Sequence, residues 1–107
     1  GNPRARLALE VLVHETRKYI GAYSAVLEGL DVLAFTGGIG ENGIQIRKSV
    51  CQGLEYLGIQ IDPTKNQVRG RDAVISADGS KVTVLVILAN EELVIARETA
   101  RIVAESG

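Results

Sequence analysis

Six residues, Asp31-Val32-Leu33-Ala34-Phe35-Thr36, run straight into Gly37-Gly38-Ile39-Gly40-Glu41-Asn42-Gly43. A short apolar run bounded by turn signals predicts a strand buried on both faces. Beyond the glycines, Ile46, Val50, Leu54 and Leu57 recur at helical spacing up to Gly58, which suits the left-handed residue just past a helix end. Strand, glycine-rich turn and helix in that order predict an α/β unit, and the other segments are placed around it.

Upstream, Leu9, Leu12, Thr16, Tyr19, Ile20, Tyr23, Leu27 and Leu30 recur every three or four residues and predict one long helix from about Pro3 to Leu30. Gly21 inside it weakens the helix by about 1 kcal/mol relative to Ala, which suits a place where another element comes close. Gly29 marks its end. Downstream, Gly58 to Pro63 alternates and predicts a short strand, and residues 73–76 predict another, with Asp78-Gly79 as a hairpin turn. Val82 to Leu88 is apolar and rich in β-branched residues, so it is expected to be a central strand. Asn90 is expected to cap a last helix, packed through Leu93, Ala96, Ala100 and Val103 and running out near Ser106-Gly107.

A chain of 107 residues buries one core and is too short for two, so residues 1–107 are expected to form one domain or one lobe of a larger one. Twelve basic residues against 13 acidic ones, scattered along the chain, argue against nucleic acid as a partner. Cys51 is the single cysteine, which excludes a disulfide framework and points to a reducing, cytoplasmic compartment. The longest apolar run, starting at Val82, falls well short of the ~18 residues of a membrane-spanning helix, so no membrane partner is expected. The first helical pattern begins almost at residue 1 with no initiator Met and no signal-peptide core, so a piece of a longer chain is expected.

Two segments have the composition for chemistry. In Thr36 to Asn42, glycines allow a sharp turn and the close approach of a phosphate or nucleotide, while the following helix turns its N–H groups outward. A tight connection whose glycines serve geometry alone explains the same residues. Gly38-x-Gly40-x-x-Gly43 also matches a dinucleotide-binding fingerprint, with Asp62 where a ribose-binding acid would fall. Against that rival, a long helix precedes the fingerprint strand and too little chain follows to complete a doubly wound sheet. In Asn90-Glu91-Glu92-Leu93, carboxylates at a helix start can hold Mg²⁺ or merely complement the helix dipole. His14, Glu15, Arg17, Lys18, Arg47 and Lys48 read as solvated helix faces, Cys51 as a small core residue, and Tyr19 with Tyr23 as packing.

Taken in order, Tyr19-Ile20-Gly21-Ala22-Tyr23, Asp31 through Asn42, Gly53-Leu54-Glu55-Tyr56-Leu57-Gly58-Ile59, Ile75-Ser76 and Ile87 through Arg97 resemble the acetate kinase family, over about the last quarter of a member. The resemblance implies the C-terminal part of an α/β domain of the actin, sugar kinase and heat-shock ATPase type, which is ribonuclease H-like, with two lobes enclosing ATP. By position it implies that Gly38, Ile39, Gly40, Glu41 and Asn42 line the adenosine pocket and that Glu91 helps to hold Mg²⁺. The implied reaction moves the γ-phosphoryl group of ATP to acetate, giving acetyl phosphate and ADP. Propionate kinase of the same family is the alternative acceptor reading. The family's catalytic residues fall in segments without a counterpart here, and a homodimer is the implied assembly. Gly43 stands where the family usually has Ser, and Leu88-Ala89 where it has Pro-Thr.

Overall fold

A computed structural model describes residues 3–36, 43–87, 92–97 and 100–105. Helix α1 spans Pro3–Leu27, strand β1 Val32–Thr36, helix α2 Gly43–Cys51, strand β2 Ala73–Val74, strand β3 Thr83–Ile87, strand β4 Glu92–Arg97 and strand β5 Ala100–Glu105. The strands form one sheet in the order β2-β3-β1-β4-β5. Only β1 and β3 run parallel; the other three pairings are antiparallel.

The core follows from the pleat. Leu33 and Phe35 point to one face of β1, and the register pairs them with Val84 and Val86 of β3. These four side chains are buried and join Ile20 of α1 and Val50 of α2 in a single apolar cluster. Burying a residue such as Val50 or Leu33 completely contributes about 1.5–3 kcal/mol. Ala34 and Thr36 are buried as well, so β1 is covered on both faces as its sequence predicts. β3 has a neighbour on either side and is the central strand expected of its composition.

Helix α1 stops at Leu27 in a Schellman turn. Gly29 N–H donates to Ser24 O at 2.9 Å and Glu28 N–H to Ala25 O at 3.4 Å. The left-handed position falls on Glu28, with φ 59°, one residue before the glycine expected there. A Cβ added at Gly21 meets nothing within 4 Å, so among the described residues no element makes the close approach the sequence suggested.

Three further expectations are corrected. Helix α2 ends at Cys51 instead of continuing to Leu57, because Gly53 turns the chain at φ 83° and a separate 3-10 turn, Glu55–Leu57, follows, capped by Gly58 at φ 87°. The strand expected at 58–62 is reduced to a single bridge, Ile61 to Ser76. Residues 92–97 and 100–105, expected within one helix, form β4 and β5. Leu93-Val94-Ile95-Ala96 and Ile102-Val103-Ala104 are apolar runs of four and three residues, too short for period alone to separate helix from strand. The tertiary context decides: β4 satisfies the second edge of β1, with Val94 opposite Ala34 and Ile95 opposite Leu33. The Asp78-Gly79 turn is as expected, Ser80 N–H donating to Ala77 O at 2.9 Å between the antiparallel β2 and β3.

Candidate functional site

The register of the two parallel strands organises the site. Thr36, the last residue of β1, lies opposite Ile87, the last residue of β3. Both glycine-rich and acidic segments therefore leave the sheet from the carboxyl ends of adjacent parallel strands, the edge at which open α/β sheets gather ligands. Gly38, Ile39, Gly40, Glu41 and Asn42 themselves lie outside the described residues, as does Glu91. Their flanks are described: Thr36 and Gly43 bound the glycine-rich segment, and Ile87 and Glu92 bound the acidic one. Since Glu92 begins β4, the helix-dipole reading of Glu91 and Glu92 lapses with the helix.

Helix α2 is held from two sides by arginines that the sequence had suggested were solvated. Arg47 is 7% exposed; its Nε donates to Asn66 Oδ1 at 2.7 Å, and its Nη2 donates to Asn66 O at 2.9 Å and Val68 O at 2.8 Å. Asn66, 2% exposed, uses its Nδ2 to donate to Ile44 O at 3.0 Å. The two ends of the amide thus face a donor and an acceptor, which fixes its orientation. Burial, and next the like charge of Arg69, lower the Arg47 pKa. From α1, Arg17 Nη1 reaches the last turn of α2, donating toward Val50 O at 3.0 Å and also lying near Ser49 O and Gln52 O. A cation on carbonyls at the C-terminal end of a helix also complements the helix dipole.

A sequence signal for Arg47 existed. It stands four residues after Gly43 and three before Val50, on the same helical face as both. Its charge outweighed its spacing in the sequence reading. Asn66 had no such signal, because it sits in an irregular segment without period.

Asp62 does not face a ribose site: its Oδ1 accepts from the backbone N–H of Thr64 at 2.8 Å and Lys65 at 3.1 Å, closing its own turn. Together with the mixed sheet, this removes the doubly wound dinucleotide fold. Cys51 is 4% exposed, and burial pushes its thiol up to about 12, against a reactive nucleophile. His14 is exposed and lines an open groove between α1 and α2 with Leu9, Val13, Arg17, Gln45 and Ile46. Lys48 is exposed, Lys18 pairs with Glu15 at 3.7 Å on the surface, and Tyr19 stacks on Tyr23 at 6.2 Å. Among the described residues no helix is long and apolar enough to cross a membrane.

With this geometry in hand, comparison with known proteins is specific. The family model described as the acetokinase family matches residues 1–97. The chain is 58% identical over 103 residues to the acetate kinase of Moorella thermoacetica, and 59% identical over 105 residues to that of Dictyoglomus turgidum. These alignments cover 96% and 98% of the chain and 26% of each relative. Among solved structures, the acetate kinase of Porphyromonas gingivalis superposes with a TM-score of 0.76 at 47% identity, over 82% of this chain and 22% of that one. A propionate kinase from Francisella tularensis gives 0.67 at 38% identity, over 84% and 23%. The fold is thus a mixed α/β segment of the actin-like ATPase type. The chain belongs to the acetokinase family. It spans about a quarter of the length of the curated relatives it matches.

Proposed function

We propose that this chain is the C-terminal lobe of an acetate kinase and forms one wall of its ATP site. The observation that carries the reading is the family match along residues 1–97. The strand register supports it, since it brings the ends of β1 and β3 together at one sheet edge. In this reading the Gly38–Asn42 turn receives the nucleotide, its glycines permitting contact with the backbone. Glu91, next to the start of β4, supplies a hard oxygen ligand of the kind Mg²⁺ takes. Mg²⁺, when bound, would neutralise charge on the phosphate oxygens. In this reading the acceptor carboxylate and its arginines belong to the three-quarters of the relatives that this chain does not span.

Transfer of a phosphoryl group depends chiefly on positioning and on cations around its oxygens. One wall of a two-sided site is therefore expected to bind ATP weakly and to make no acetyl phosphate. The test places this chain in the Moorella thermoacetica enzyme in exchange for the matching quarter. Trapping acetyl phosphate as a hydroxamate should show acetate-dependent turnover by the chimaera and none by the 107-residue chain. A folded chimaera that binds NAD more tightly than ATP, or that turns over neither acetate nor propionate, would refute the reading. Faster turnover of propionate would move the assignment to the propionate kinases, to one of which the chain is similar in structure.

A further inference from the structure

The pair Arg47 and Asn66 is an unusual way to hold a nine-residue helix. Desolvating a guanidinium is costly, and apolar side chains of similar volume commonly fill such a space with equal or better stability. What a buried polar pair adds is direction, because hydrogen bonds fix angle and register where apolar contacts tolerate sliding. Here the direction is set at the first turn of α2. Arg47 ties that helix to the backbone at Asn66 and Val68, and the amide of Asn66 returns to Ile44 O. Gly43 completes the arrangement, since a Cβ on it would lie 2.9 Å from Arg47 Nη1. Among the described residues no buried side-chain polar atom lacks a hydrogen-bond partner, so the device is fully satisfied.

Gly43 and Ile44 are the residues at which the chain emerges from the Gly38–Asn42 segment. We propose that Arg47 and Asn66 are positioning residues for the nucleotide, fixing Gly43 and Ile44 and so the exit of the glycine-rich turn. The inference rests on the reading that this turn receives ATP. Neither residue touches the nucleotide in this account; both act through the backbone of the first turn of α2.

Two conservative substitutions in the chimaera test it. Asn66→Asp keeps an acceptor for Arg47 and loses the donor to Ile44 O. Arg47→Lys keeps the charge and loses the fork that spans three oxygens. Each should raise KM for ATP by about fivefold or more, the scale of one lost buried hydrogen bond. KM for acetate should stay within about twofold, and the double variant should be little worse than either single one, as expected of residues acting as a unit. ATP titrated onto the 107-residue chain should weaken by the same factor, and this readout stands without the chimaera. An unchanged KM for ATP, or ATP and acetate KM values rising together with a fall in melting temperature, would overturn the proposal. A folded unsubstituted chimaera without kinase activity would instead overturn the functional reading beneath it.

Discussion

Helix α1 runs for 25 residues and buries one of them, Ile20, whereas α2 runs for nine and buries Gly43, Ile46, Arg47, Val50 and Cys51. A helix of α1's length has many hydrogen-bonded turns to share the cost of nucleation, and it also packs on the core through Leu9, Leu12, Val13, Tyr23 and Leu27. A helix of nine residues cannot persist alone, being below the ~12–15 residues at which isolated helices become even marginal. Its existence depends on what surrounds it: apolar contacts at Ile46 and Val50, the Arg47 and Asn66 bonds on one side, and Arg17 from α1 on its last carbonyls. The helix that follows the glycine-rich segment is thus the one that depends most on tertiary contacts, and the longer helix is a support.

The sharpest way to break that contrast is Arg47→Met. The substitution fills much of the space but leaves Asn66 Oδ1, Asn66 O and Val68 O without the donor they now have. Each buried acceptor left unsatisfied costs about 1–3 kcal/mol, so an unfolding free energy lower by roughly 3 kcal/mol or more is expected from urea titration. A loss below about 1 kcal/mol would mean that apolar contacts alone hold α2.

Cys51 tests the same helix by pH. Its thiol is raised to about 12, and the principal cause is burial. Between about pH 8.5, where an unfolded thiol titrates, and about 12, the unfolded chain has released the proton that the folded chain retains. The unfolded state then binds fewer protons, so stability falls as pH rises, by up to about 1.4 kcal/mol per unit. Cys51→Ala should abolish that slope. Alkylation by iodoacetamide at pH 8 should be slow in the folded protein and fast in denaturant; rapid native alkylation would show that α2 opens readily.

These contrasts mark what the sequence could disclose. β1 and β3 were legible as short apolar runs between turn signals, and the start of α2 because Ile46 and Val50 follow the glycines at helical spacing. The end of α2 was not, since Leu54 and Leu57 keep a helical spacing while Gly53 takes a backbone angle that breaks the helix. Residues 92–97 and 100–105 were misjudged for a different reason. Their capping and apolar spacing suit a helix locally, and the open edge of β1, invisible in one dimension, makes them strands. In the site, residue types named the glycine-rich and acidic segments, and strand register brought their flanks together. Arg17, Arg47 and Asn66 were missed because their partners are mostly backbone carbonyls 19 to 35 residues away, which leave no trace in composition.

In α1 a gain is expected. Gly21 lies within the helix with open space where a Cβ would go, so Gly21→Ala should raise stability by about 0.5–1 kcal/mol, mainly through the unfolded chain's lost freedom. Thermal unfolding measures it. No gain, or a loss, would show that another element closes on Gly21.

The smallest effect is expected at Val26, 73% exposed on α1. Val26→Lys in the 107-residue chain should change stability by no more than about 0.5 kcal/mol, as for surface positions generally. Leu7 and Val11, 60% and 53% exposed, share this outward placement on a helix whose inner side already rests on the core. Three large apolar residues on the exposed side of a supporting helix have no local purpose in a chain that spans a quarter of its relatives. The same Val26→Lys in the chimaera should therefore cost more than in the chain alone, by about 1 kcal/mol or above, if the remaining three-quarters covers this side. Equal, negligible effects in both proteins would leave that side of α1 facing solvent in the whole enzyme, and α1 would then be held through its inner face and Arg17 alone.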